Sequence, residues 1–465
     1  MIDFLKHARQ YQEAIVSDLK ELIAIESIED PATKSETAPF GEKLDEILQL
    51  MLAKGQISGF KTTNVDHYAG IIELGSGEEI VSMLGHLDIV PIGDGWSKDP
   101  LAGEVEDGYI FGRGSDDDKG ATVAAFYAMK ILQDLDLNFK RRIWLILGTN
   151  EETGMQCMDY FVANHPEQPT FGFVPDADFP AIYGECGIFD TRLETKNTTV
   201  IKKLNAGTRP NIVIAHCDVL VDGELKDDLF KFYLESNRLE GSCKLTEEGA
   251  LYTIHGKAFH GAWPHKGVNA AYHAINFVAN SYHDDLLKKL AKMLHSPFGH
   301  GLGVDIDGYY MGPLTMNLGI VNIDETISLT IDMRYPNDTN AKAILAKMKE
   351  ALSKQDLDLE ITVLTDSAPL FVDPNSDLVK VCVETYREFS KDTFTPAQTT
   401  RGGTYARKLP NHFAFGPSLP TRPKPSHVGG PHEKDEGMEI ESLVLATAIY
   451  AKALYRLTVD LNEAA

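Results

Sequence analysis

Four short polar segments hold the residue types that metal-assisted hydrolysis needs. In Gly85-His86-Leu87-Asp88 an imidazole and a carboxylate stand two residues apart, so an extended strand would turn both to one side. A metal-bound imidazole commonly donates its other N–H to such a carboxylate. Gly112-Arg113-Gly114-Ser115-Asp116-Asp117-Asp118-Lys119-Gly120 sets three carboxylates before an Ala-rich segment. Glycines before a helix could cradle a phosphate, but the carboxylates argue against it and G-x-x-x-x-G-K-[ST] is absent. An acidic helix N-cap is the plainer reading. Asn150-Glu151-Glu152-Thr153-Gly154 offers adjacent carboxylates, one able to bind metal while the other works as acid and base. Gly429-Gly430-Pro431-His432-Glu433-Lys434-Asp435-Glu436 adds a late imidazole. Each segment alone also has an ordinary structural reading. Together they supply oxygen and imidazole ligands suited to zinc, manganese or cobalt. Two ions held roughly 3.5–4 Å apart need a bridging carboxylate and several terminal ligands.

GHLDIVP, GRGSDDDKG, NEETG, PDADFP, HGKAFHGAWPHKGVNAA, DMRYP and GGPHEKDE occur in this order along essentially the whole chain. With them the sequence resembles the M20 family of metallopeptidases, and most of all its PepV-type, carnosinase-like dipeptidases. The resemblance implies two divalent ions, Zn²⁺ with Mn²⁺ or Co²⁺ as alternatives. It makes His86 a ligand of one ion and Asp88 the carboxylate that supports it. Asp117 matches the bridging ligand, with Asp116 and Asp118 as its neighbours and competitors. Glu151 matches the general base and Glu152 a ligand of the other ion. Asp176 matches the acid that completes the first ion, with Asp178 as runner-up. His432 matches the last ligand, with His427 as the competing imidazole. In the family's lid, His260 matches the oxyanion donor, with His265 close by. Arg334 matches the arginine that binds the substrate's C-terminal carboxylate, a structural salt bridge being the other reading. Asn211 and Gly403 resemble substrate-pocket positions by a looser match.

The reaction so implied is hydrolysis of unblocked dipeptides by a metal-bridging water, with Glu151 taking its proton. Lid closure would bring His260 and Arg334 into play. The long lid implies that one chain builds a whole site, hence a monomer. A deacylase, aminoacylase or carboxypeptidase acting on N-blocked substrates is the alternative within the family.

The elements that must position these residues are legible as periodicities. Apolar residues at helical spacing predict helices over 2–24 and about 40–54. Short apolar strands are predicted at Ala69–Leu74, Ile80–Leu84 and Arg142–Leu147, with a helix over Ala121–Leu135. Strands alternating with helices imply an α/β domain whose mainly parallel sheet is covered by helices. The polar segments fall at strand C-termini, where such sheets carry their sites. Residues 185–369 change character. Alternating patterns at Phe189–Leu193, Ala250–Ile254 and Ile327–Met333, with helices near 268–280, 283–294 and 340–353, predict an inserted α+β lid domain. The catalytic domain would then be 1–184 plus 370–465, with helices near 376–389 and 439–457.

At 465 residues the chain exceeds the usual single core. Its 44 Lys and Arg against 69 Asp and Glu leave a net charge of −25, which disfavours nucleic acid and anionic membrane as partners, while the resemblance implies a small peptide as substrate. Five scattered cysteines without a C-x-x-C pair fit a reducing compartment. The N-terminus is charged throughout and the strongest apolar run spans Ile143–Leu147, so a cytoplasmic protein is expected.

Overall fold

The computed structural model describes residues 2–459, which form two compact units. The first takes the chain up to Gly184, then Phe371–Gln398, then from Gly403 on; the second takes Glu185–Leu370 and Thr399–Gly402.

The first unit opens with α1 (Phe4–Gln10), α2 (Gln12–Ile23) and α3 (Glu42–Ile57). Helical spacing predicts one helix over 2–24, but the structure breaks it at Tyr11, whose N–H turns back to the Ala8 carbonyl at 3.0 Å. The break accompanies a tertiary contact that spacing does not encode: the Tyr11 hydroxyl donates to Asp134 at 2.5 Å and its ring packs on Tyr127.

Then come β1 (Lys61–Val65), β2 (Ala69–Gly75), β3 (Ile80–His86), α4 (Lys119–Asp134), β4 (Arg142–Gly148), α5 (Gln156–Asn164) and β5 (Phe171–Val174). β3 is buried along its whole length and β4 nearly so. Both read as continuous apolar runs because both faces are covered. They pair in parallel with His86 beside Gly148, so the two strands end level and release their polar loops side by side. α4 is buried almost all round from Lys119 to Leu132. Its start presses on the preceding loop so closely that a Cβ on Gly120 would lie 2.1 Å from the Ser115 carbonyl oxygen.

The second unit is an α+β body. Its strands are β6 (Gly187–Lys196), β7 (Ile201–Ala206), β8 (His216–Val221), β9 (Glu240–Thr246), β10 (Gly249–His255), β11 (Thr315–Ile323), β12 (Thr326–Tyr335) and β13 (Glu360–Ser367). They form one sheet in the order β9-β10-β8-β7-β11-β12-β6-β13, antiparallel throughout. β8 and β10 alternate between buried and open residues, the period-2 signature of a sheet with one solvated face. The buried side packs with α6 (Ala270–Ser281), α7 (Asp285–Leu294) and α8 (Ala341–Lys354) in one apolar cluster. Asn269, Asp284 and Asn340 cap these helices through side-chain oxygens that accept from Tyr272, Leu287 and Ala343 N–H.

The chain then completes the first unit with α9 (Asp377–Ser390), β14 (His412–Ala414) and α10 (Ile440–Thr458). β14 joins β5 in parallel, so the first sheet includes the run β1-β2-β4-β3-β5-β14. Its centre, β4-β3-β5-β14, is parallel; β1 and β2 are antiparallel additions at one side. His412 is wholly buried there. Its Nδ1–H donates to the Pro410 carbonyl at 2.7 Å, and its Nε2 accepts from the Ser82 hydroxyl at 2.6 Å. Both ring nitrogens have partners in the neutral form, and burial depresses the pKa to about 4.

The folded pKa lies below the ordinary imidazole value, so the unfolded chain binds more protons across the window between them. Stability from this group is full above that window and is lost as pH falls through it. About 2 kcal/mol should disappear between pH 7 and 5. The melting temperature of the wild-type protein should therefore fall more steeply over that range than that of His412→Gln. Parallel curves would show that His412 is not held neutral.

Candidate metal centre

The level ends of β3 and β4 bring Gly85–Asp88 and Asn150–Glu152 together. The Asp88 carboxylate ties the two loops: Oδ1 accepts from Glu151 N–H and Oδ2 from Glu152 N–H, both at 2.9 Å. Beneath them lies Tyr405, fully buried, whose hydroxyl accepts the Asn150 N–H at 3.2 Å. A Cβ on Gly148 would lie 2.4 Å from this ring, so the strand end passes over the tyrosine only as glycine.

His86 is 1% exposed. Its Nε2 meets Asp117 Oδ1 at 2.9 Å and lies 3.9 Å from Asp176 Oδ2. Its Nδ1–H donates to the Asp88 backbone carbonyl at 3.0 Å, while the Asp88 carboxylate stands farther off at 3.5 Å. Strand alternation predicts the carboxylate as the closer partner. The strand ends at His86, and the Asp88 side chain is taken by the two glutamate N–H groups. Asp117 divides its oxygens: Oδ1 goes to His86 and Oδ2 to His432 Nε2 at 3.1 Å. His432 also meets Glu152 Oε1 at 3.1 Å. Ligand atoms of His86, Asp117 and Glu152 all lie within 4.8 Å of one another.

The competing residues go elsewhere. Asp116 turns to Lys424 at 2.5 Å. Asp118 accepts from the His86 N–H at 3.1 Å and from Thr122 at 3.2 Å. Asp178 is exposed on its own short strand, whereas Asp176 reaches His86. The imidazole that joins Asp117 and Glu152 is that of His432, not His427.

The electrostatics are those of a carboxylate surplus. Burial, reinforced by Asp176, Glu152 and Asp88, holds Glu151 well above the ordinary carboxylate range. Burial together with Asp117 and Asp118 does the same to Asp176. Asp117 is buried too, yet the hydrogen bonds from His432 and His86 hold it below that range. The hydrogen bonds that His432 donates to Asp117 and Glu152 raise its own pKa to about 10. For His86, burial opposes the charged form, but its bonds to Asp117 and Asp88 prevail and raise it. Protons on these imidazoles occupy positions that divalent cations would take, and the surplus carboxylates would be neutralised at the same time. The donor set therefore fits divalent metal.

Sequence reasoning passed over Glu436. It is wholly buried, and its Oε1 accepts the N–H groups of Gly114 (3.0 Å), Asp116 (3.0 Å) and Asp117 (3.2 Å). Its Oε2 accepts from Arg113 at 2.5 Å. The signal was present as an acid four residues after His432 within GGPHEKDE, beside the Arg of GRGSDDDKG.

In the second unit, Asn211 and His260 are neighbours: the Asn211 carbonyl accepts the Gly261 N–H at 2.7 Å. His260 Nδ1 accepts from the Ala262 N–H at 3.1 Å, which puts the ring proton on Nε2. Burial and Arg334 keep this imidazole below its usual pKa. His265 instead stacks on Phe298. Arg334 donates from Nε and Nη2 to the fully buried Asp332 at 2.9 and 3.3 Å, and from Nη1 to the Arg401 carbonyl at 3.3 Å. A buried salt bridge is thus present at Arg334. Gly403, in the first unit, packs against Arg407, where a Cβ would lie 2.5 Å from Nη2.

A family model described as peptidase family M20/M25/M40 matches residues 83–456. The chain is 34% identical over 463 residues to "Putative dipeptidase YtjP" of Bacillus subtilis (strain 168), covering 96% of this chain and 97% of that one. It is 35% identical over 470 residues to a protein of the same designation from Staphylococcus epidermidis, covering 97% and 98%. Its fold is similar to that of human carnosine dipeptidase 1, with a TM-score of 0.56 at 16% identity over 97% of each chain. A similar fold occurs in an M20 family metallo-carboxypeptidase of Sulfolobus solfataricus, with a TM-score of 0.56 at 17% identity over 95% of this chain and 98% of that one. No described helix is long and apolar enough to cross a membrane.

Replacing Glu436 by Ala leaves a buried guanidinium and three backbone N–H groups without their acceptor. Breaking one side of a buried pair costs about 3–5 kcal/mol. Glu436→Ala should therefore lower the thermal unfolding transition by many degrees, and Glu436→Gln by less. A transition within a degree or two of wild type in Glu436→Ala would refute the assignment.

Proposed function

The chain belongs to peptidase family M20/M25/M40 and is a hydrolase of the metallopeptidase class, and from that premise we propose that it is a dipeptidase holding two divalent ions. The observation that carries the reading is Asp117, one carboxylate divided between two imidazoles from different loops. A bridging ligand needs that arrangement, with His86 and Asp176 on one side and His432 and Glu152 on the other. Zn²⁺ suits this mixed imidazole and carboxylate set, as do Mn²⁺ and Co²⁺. The dipeptidase designation of relatives that align end to end favours a small peptide as substrate.

When bound, the ions supply Lewis-acid polarisation of the scissile carbonyl and a lowered pKa for the attacking water. Glu151 takes the proton of that water and delivers it to the leaving amine. Its raised pKa, set by burial among carboxylates, suits a group that must hold a proton between the two transfers. Asp88 fixes the backbone of both glutamates. His260, with its proton on Nε2, donates to the developing oxyanion. Arg334, oriented by Asp332, holds the free carboxylate of the leaving residue. Asn211 and Gly403 complete the substrate-binding positions.

Glu151→Gln should keep two metal ions by elemental analysis while dipeptide hydrolysis falls by about 10²–10⁴-fold. Asp117→Asn should lose both ions. If Glu151→Gln empties the site and Glu152→Gln spares it, the two glutamates have exchanged roles. On the substrate side, free dipeptides should be cleaved far faster than C-amidated ones, because an amide leaves the guanidinium partly unpaired. Equal rates would remove Arg334 from substrate binding. Preference for N-acylated amino acids would replace the dipeptidase reading with a deacylase.

A further inference from the structure

The second unit carries another group of metal-ligating side chains, on the solvated face of its antiparallel sheet. β8 and β10 run antiparallel with His216 directly opposite His255. Their Nδ1 atoms are 3.4 Å apart and their ring centroids 5.2 Å apart. Two imidazoles on one tetrahedral ion, each at a Zn–N distance of about 2.0–2.1 Å, must hold their nitrogens about 3.3–3.4 Å apart. The pair therefore already has the spacing of two ligands on a shared ion.

The surroundings orient one of these rings. Asp218 lies on the same face, two residues along β8, and its Oδ2 accepts from His216 Nε2 at 3.3 Å. The Thr253 hydroxyl donates to the other Asp218 oxygen at 2.6 Å and steadies that carboxylate. With its proton on Nε2, His216 turns the lone pair of Nδ1 toward His255. Ligating histidines commonly have this order of carboxylate, imidazole and metal. On the other side of β10, Glu240 of β9 stands opposite His255. Residues directly opposite share a face, so Glu240 stands on the same side of the sheet as the two histidines. His216 and His255 are exposed, so an ion reaches them from solvent.

We propose that His216 and His255 form a divalent transition-metal site that takes Zn²⁺, with water completing the coordination. It is distinct from the cluster around Asp117, which belongs to the other unit. Without metal, the His255 Nδ1–H fills the gap by donating to His216; binding releases that proton and breaks no other bond. A bound ion cross-links β8 and β10 on their solvated face. Imidazole ligands select Zn²⁺ over Ca²⁺ or Mg²⁺, which prefer oxygen.

The full-length protein is equilibrated with Zn²⁺ buffered at micromolar free concentration, and bound zinc is counted by elemental analysis. Wild type should hold one more ion per chain than the double variant His216→Ala/His255→Ala, with peptidase activity and the metal-free melting temperature equal in both. Asp218→Asn should weaken the additional site about 10–100-fold. Equal zinc content in wild type and double variant, at matched activity, would overturn the site. An unchanged affinity in Asp218→Asn would overturn the orienting role of Asp218. Loss of the additional ion with the ions of the Asp117 cluster retained separates this result from any failure of the dipeptidase reading.

Discussion

Carboxylates crowded together out of water set the terms for the first unit. Asp88, Asp116, Asp117, Asp118 and Glu436 are mostly or wholly buried within a few residues of each other in space. Like charges at such range cannot all stay ionised without partners. The fold answers each one separately. Asp88 takes two backbone N–H groups, Glu436 takes three plus Arg113, and Asp116 takes Lys424. Asp118 takes the His86 N–H and Thr122. Lys119, in the same segment, is turned away from them. Its Nζ donates to the carbonyls of Leu22 and Ile25, and burial lowers its pKa to about 7. Asp117, Glu151, Glu152 and Asp176 are gathered instead beside two imidazoles. The protein's own cations are thus spent on holding the frame.

That frame depends on topology. β3 and β4 are adjacent, parallel and end level, so two loops far apart in sequence emerge together. One carboxylate, that of Asp88, can then span them. An antiparallel pair would send the loops to opposite ends of the sheet. The glycines at 120 and 148 belong to the same requirement, since each lies where a neighbour comes too close for a Cβ. The second unit has no such junction. Its sheet is antiparallel throughout, one face is solvated, and the side chains of His216, Asp218, Thr253 and His255 meet across neighbouring strands.

Much of this was legible in the sequence because the signals are local. The fully apolar runs of β3 and β4 and the Ala-rich α4 mark a parallel sheet under helices, and the structure extends Ile80–Leu84 only to His86 and Arg142–Leu147 only to Gly148. The alternation at Ala250–Ile254 marks β10. The short strand β14 was missed, since His412–Ala414 gives three residues without a period to read. The break at Tyr11 was missed because it goes with contacts to Asp134 and Tyr127, which are distant in the chain. Glu436 and Tyr405 escaped notice for the same reason: their partners Gly114, Asp117 and Asn150 are distant in the chain, and one sequence carries no record of that proximity. For Asp88, strand alternation named the right residue beside His86 but gave its carboxylate to the imidazole, whereas the loop geometry gives the carbonyl.

The same frame explains how two adjacent glutamates can differ. Glu151 and Glu152 are chemically identical and consecutive, so no intrinsic preference separates an acid and base from a ligand. Asp88 fixes both peptide N–H groups, which sets the direction in which each side chain leaves the backbone. Glu152 then meets His432 and lies among the ligand atoms. Glu151, partly buried, faces the field of Asp176, Glu152 and Asp88, and loss of water around it makes it hold its proton more tightly than an ordinary carboxylate. Under the proposed mechanism that separation is the division of labour the reaction requires, and it originates in hydrogen bonds from backbone to Asp88 rather than in either glutamate.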